Sequence, residues 1–159
     1  MTNESSVIIE THAAGLLAAI AHDLRIDAPI AEGEADGARC TARFRVDAMK
    51  VVASRRHGTS EWHVPDTNDA RDIEKRIRTE AFAGLDEVRI EATASKITVH
   101  AARSQTVATV AHVDPGTVFG ECELSLAALG VGKIHIPLGA VKLDDRIVVT
   151  FDVVLREST

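Results

Sequence analysis

Residues 69–80 read DARDIEKRIRTE, the one convincing amphipathic helix in a chain whose other patterned segments alternate with a period of two. Ile73, Ile77 and Ala81 recur at i, i+4 spacing, so a narrow apolar stripe faces inward. Asn68 or Asp69 serves as the cap, and acids lie early in the helix, where the dipole favours them. Asp72 with Arg76, and Glu74 with Arg78, are expected as i, i+4 ion pairs on the solvent side. Phe82 follows as an anchor, and Gly84 ends the segment at about residue 82. A single short helix among many strands outlines a barrel with a cover.

The strands on either side support that outline. In Arg146 to Leu155, Ile147, Val149, Phe151, Val153 and Leu155 fall on one face, with Thr150 and Asp152 on the other. Val148 and Val154 leave the second face only partly polar. In Val118 to Leu126, Cys122, Leu124 and Leu126 alternate with Glu121, Glu123 and Ser125, after a turn at Asp114-Pro115-Gly116. Further strands are expected at Val7 to His12, Leu16 to Asp27, Ala42 to Ser54, Val88 to Ala94, Ile97 to Ala101, Thr106 to His112 and Lys133 to Leu138. Within Ala42 to Ser54 the apolar phase moves from Phe44 and Val46 to Met49 and Val51, as a β-bulge would make it. The polar stretch RRHGTSEWHVPDTN, residues 55–68, reads as a long loop. About eight strands without helical crossovers imply an antiparallel, mainly all-β barrel, covered by one helix over about residues 69–82. A two-sheet sandwich is the alternative. No linker or repeat divides residues 1–159, which reads as one domain.

Bulk properties exclude several functions. The net charge is −6, and basic residues are interleaved with acids, so no nucleic-acid surface is expected. The longest uncharged apolar run, Ala13 to Ala21, is about half the length that spans a bilayer. With no basic leader ahead of an apolar run, a cytoplasmic location is expected. Cys40 and Cys122 show no metal-ligand spacing and are expected to be reduced.

Candidate chemistry is sparse. His22-Asp23 forms an HD dipeptide, but in a strand-like run without the further His and Asp residues that a metallohydrolase needs. His57, Glu61 and His63 lie close together in the long loop, yet their spacing matches no zinc pattern. No GxSxG elbow is present, and Gly130-Val131-Gly132 reads as a hairpin corner rather than a phosphate loop. No catalytic residue, metal or cofactor is therefore assigned. With four Phe, one Trp and no Tyr, but abundant Ala and Val, the inward side chains are small and leave volume for a ligand. Its walls are expected at Met49, Val51, Ile73, Ile77, Phe82, Ile90, Leu124 and Phe151. His22 at a barrel mouth, and Arg71 near Arg55 or Arg56, are the candidates for contact with a polar head.

Three stretches resemble the YceI-like family of polyisoprenoid-binding proteins. They are GLLAAIAHDLRIDA (15–28), MKVVAS with RDIEKRIRTEAF and VRIEATAS (49–95), and ELSLAALGVGKIHIPLGAVKLDDRIVVTFDV (123–153). Where the family carries an LTIHG-like strand and hairpin, this chain has ITVHAARSQTVATVAHV. The resemblance implies a lipocalin-like barrel of about eight strands that holds an isoprenoid or acyl chain, commonly as a homodimer. The leading expectation is thus a non-catalytic carrier of an apolar or amphiphilic molecule. The alternatives are a solid-barrel interaction or stress-related module, and a barrel isomerase using His22 or His135.

Overall fold

The computed structural model describes residues 6–11, 13–14, 22–36, 39–56, 58–93, 95–108, 112–114, 117–131, 142–143, 146–154 and 156–157. The strands are β1 (Ser6–Thr11), β2 (Ala13–Ala14), β3 (His22–Asp36), β4 (Arg39–Arg45), β5 (Lys50–Arg56), β6 (Glu87–Ala92) and β7 (Lys96–His100). They continue as β8 (Ser104–Ala108), β9 (His112–Asp114), β10 (Thr117–Ser125), β11 (Lys142–Leu143), β12 (Arg146–Val154) and β13 (Arg156–Glu157). The helix α1 spans Thr67–Arg76. Eight strands in the order β8-β7-β6-β4-β3-β1-β12-β10 wrap into a nearly closed, mainly antiparallel barrel. Between β8 and β10 the closing bonds are few. Arg103 N–H donates to the Leu129 carbonyl at 2.8 Å, and Ser125 N–H donates to Gln105 Oε1 at 3.0 Å.

Strand β3 organises the rest. It is 15 residues long and pairs with β1 along one edge, from Thr11↔Leu24 to Ser6↔Pro29. Its other edge serves two partners in succession: β5 over His22 to Asp27, then β4 over Ile30 to Asp36. Those partners are one path interrupted by a 3-10 turn at Val46–Ala48. The phase shift expected there as a bulge is therefore real, but a turn of helix produces it. Phe44 and Val46, then Met49 and Val51, all end up buried. The second half of β3 is an addition to the expected strands, and residues 133–138 lie outside the described part of the chain.

On the far edge β4 pairs with β6, from Cys40↔Ala92 to Arg45↔Glu87, whereas among the described residues no strand follows β5. An edge N–H with no ladder must find another acceptor. Val51 N–H donates to Glu74 Oε1 of α1 at 3.1 Å, and Ser54 exchanges both backbone bonds with His63 at 2.8 Å each. Glu74 is accordingly buried, not on the solvent side, and its ionic neighbour is Lys50 at 3.9 Å. The helix also starts earlier than expected. Asp66 is its cap, accepting the Asn68 N–H at 2.8 Å, and Asn68 and Asp69 lie inside it. At the other end a five-residue π turn, Ile77–Ala81, lets Phe82 N–H reach the Ile77 carbonyl at 2.9 Å. The wide turn keeps both Ile77 and Ala81 buried, and Gly84 at φ 79° closes it, as its position predicted.

The core alternates as the strands require. Val7 and Ile97 are 1% exposed, and Ile26, Phe44, Val88, Leu124, Ile147 and Phe151 belong to the same buried cluster. Both cysteines are free and buried. Desolvation, and then the Glu121 carboxylate, push the Cys122 thiol up to about 11. Two measurements follow. A thiol reagent at pH 8 should leave Cys122 of the native protein unmodified and react once denaturant unfolds it, because the thiolate is the reactive form. Glu74→Ala orphans the Val51 N–H and should lower stability to urea by about 1–3 kcal/mol, while Asp69→Ala on the exposed side of α1 stays within about 0.5 kcal/mol.

Candidate functional site

Where α1 spans β5 without a strand beneath it, a cleft of about 580 Å³ opens between helix and barrel. Leu24 of β3, Ser54 of β5 and Ile73 of α1 line it, together with Pro65, Asp66, Asp69, Asp72 and Arg76. Leu24 and Ile73 are partly buried and pack on the main core, so the apolar wall of the cleft is made by side chains that touch the barrel core. The rim is polar, with Asp66, Asp69, Asp72 and Arg76 all exposed. A volume of this size falls in the range of roughly 300–1,000 Å³ that holds small molecules.

The segment that carries one side of the cleft is pinned to the barrel rather than loose. Trp62 lies between two guanidinium groups, with Arg25 4.0 Å and Arg55 4.4 Å from its ring centre. Arg55 donates from Nε to Asp23 Oδ2 at 3.0 Å, and its Nη2 is 3.6 Å from Glu10 Oε1. Arg25 Nε is 3.5 Å from the other Glu10 oxygen. Asp23 is only 1% exposed, so this pairing neutralises a carboxylate removed from water. The backbone bridge from His63 to Ser54 fixes the same segment a residue further on.

The expected wall residues fall together. Met49, Val51, Ile77, Ile90, Leu124 and Phe151 are members of one buried cluster, and Ile73 and Phe82 pack against it partly exposed. The expected polar contacts do not assemble around Arg71, which stands exposed on α1, while Arg55 is committed to Asp23 and Glu10. His22 begins β3 opposite Arg56. His57 and His135 lie outside the described residues. Among the described residues no group of three His, Cys, Asp or Glu side chains could hold a metal ion. No helix among them is long and apolar enough to cross a membrane. Gly130 occupies a turn at φ 71°, where a Cβ would meet Arg103 Cγ at 3.1 Å.

Trp62, Arg25 and Glu10 carried no signal in the sequence as a group, because they meet only through the β1–β3–β5 register. The HD dipeptide was the one visible trace, and its Asp23 proves to be half of an ion pair.

No family model matches the chain, and no curated protein matches it. Among solved structures, the crystal structure of Burkholderia cenocepacia BcnA is similar at a TM-score of 0.53 and 11% identity, covering 96% of each chain. At that identity the two share a fold.

Arg55→Ala should destabilise the protein by about 3–5 kcal/mol in urea titrations, since it removes the guanidinium that donates to the buried Asp23 carboxylate. Trp62→Ala, which leaves that pair intact, should cost about 1–2 kcal/mol through the lost cation–π contacts.

Proposed function

We propose that this protein binds an apolar or amphiphilic molecule, with an isoprenoid or acyl chain, and performs no chemistry on it. The observation that carries this reading is the cleft of about 580 Å³, whose apolar side chains, Leu24 and Ile73, pack on the core. The chain of the ligand enters beneath α1, and Met49, Val51, Ile77, Phe82, Ile90, Leu124 and Phe151 form the apolar body around it. His22 and Arg71 stand for its polar head. Each buried methylene contributes roughly 0.8 kcal/mol, so a long chain supplies a large driving force without any directional contact. The YceI-like resemblance and the shared fold with BcnA agree with a barrel used as a container.

A second reading, a solid barrel that engages another protein, draws on Val64 and Val52, which are 86% and 41% exposed beside the β5 edge. Native mass spectrometry of freshly purified protein, with fluorescent prenyl and acyl probes, separates the two. A stoichiometric lipid, or probe binding that Ile73→Asp weakens by about tenfold (about 1.4 kcal/mol), supports the container. Ligand-free protein that ignores both probes overturns it in favour of the solid barrel. The same spectra give the mass of the assembly, and so test the homodimer that the resemblance implies.

A further inference from the structure

The outer face of β6, β7 and β8 carries a group of side chains that neither the core nor the cleft uses. Ser104 and His100 are directly opposed in the β7–β8 hairpin, with Ser104 Oγ 2.6 Å from His100 Nδ1. Across the ring His100 Nε2 is buried, and Glu91 Oε2 lies 3.4 Å from it, an electrostatic contact whose geometry falls short of a hydrogen bond. Arg39 Nη2 reaches the same oxygen at 3.1 Å. His100, and with it Arg39, hold the Glu91 carboxyl below the usual carboxylate range, although its desolvation works the other way. An ionised carboxylate facing Nε2 keeps the ring hydrogen there. Nδ1 then presents its lone pair and accepts the Ser104 O–H.

A base within hydrogen-bond reach of the hydroxyl is what activates a serine, and here a carboxylate faces the far nitrogen of that base at 3.4 Å. The two ring nitrogens are exchanged relative to the familiar serine triad, which leaves proton transfer intact because either nitrogen is basic when the other carries the hydrogen. Ser104 is exposed, so a reactant reaches it without moving backbone. Exposed guanidinium side chains flank it: Arg103 precedes it in the chain, and Arg89 stands opposite His100 in register.

We propose that Ser104 is a nucleophile that takes an acyl group from activated esters with anionic leaving groups, with His100 as general base and Glu91 and Arg39 as positioning residues. Ser104 Oγ attacks the carbonyl carbon while its proton passes to His100 Nδ1. The bond from carbon to the leaving oxygen breaks, and that oxygen departs with the electron pair, taking the proton from His100 or from water. An ester remains on Ser104, and attack by water releases the carboxylic acid and restores the hydroxyl. Ala101 N–H is bonded to the Arg103 carbonyl and Arg103 N–H to that of Leu129, so nearby backbone donors are committed. Developing oxyanion charge is left to the exposed guanidinium groups of Arg89 and Arg103, which suits reactive esters and not amides.

Treating the full chain with p-nitrophenyl acetate tests this. Intact mass and peptide mapping should show one acetyl group on Ser104. Its rate of formation should fall by about tenfold or more in His100→Gln, within the typical contribution of a general base. Ser104→Ala should remove the label while the thermal midpoint stays at the wild-type value. A fluorophosphonate, which needs no variant, should label the same hydroxyl and block acetylation. Glu91→Gln should slow labelling and shift the His100 ring-nitrogen resonances toward the tautomer with hydrogen on Nδ1, a change that a merely structural role would not make. Acetyl groups confined to lysines, or Ser104 labelling at an unchanged rate in His100→Gln, would overturn the proposal.

Discussion

The hydrogen bond from Val51 N–H to Glu74 Oε1 joins the helix to the barrel at the point where the sheet runs out of strands. Strand β3 is longer than any partner, so its second edge is covered in two pieces that meet at the Val46–Ala48 turn. Beyond β4 the sheet continues into β6, while beyond β5 no ladder follows among the described residues. A carboxylate from α1 and the backbone of His63 take the place of a strand. Once that substitution is made, Ile73 and Ile77 are aimed at the core, and the space a strand would have filled becomes the cleft. The site is thus a consequence of how one edge is satisfied.

The charged groups around that edge divide into two kinds. Asp23 and Arg55 form a pair taken out of water, whose members cannot be removed singly without cost. Arg25 and Glu10 extend it toward the surface and grip Trp62, so the segment leading into α1 is fastened by a flat aromatic ring and not by a buried loop core. The rim carboxylates of Asp66, Asp69 and Asp72 are solvated and leave the apolar wall of the cleft unobstructed. Stability and access therefore rest on different residues, although all lie within one end of the barrel.

Much of this architecture was legible because one face of each regular strand is buried. β1, β6, β7, β10 and β12 all sit where alternation placed them, and the apolar set from Met49 to Phe151 converges on one core. The second half of β3 escaped because both of its faces stay partly exposed there: Glu32 and Glu34 are open to solvent and Gly33 is only half-buried. Glu74 escaped for a different reason. A helical acid is expected to face water, and only the absence of a neighbouring strand makes its burial favourable. The Trp62 clamp depends on cross-strand register, which a linear pattern does not encode. Asp66 as the cap was hidden by the equally good capping chemistry of Asn68 and Asp69 just after it.

The barrel is closed at two places by something other than a backbone ladder. At β5 the substitutes are Glu74 and His63; between β8 and β10 one is the Gln105 amide, beside the backbone bond from Arg103 to Leu129. A ladder is cooperative, since each bond aligns the next, whereas a side-chain bond can break without disturbing its neighbours.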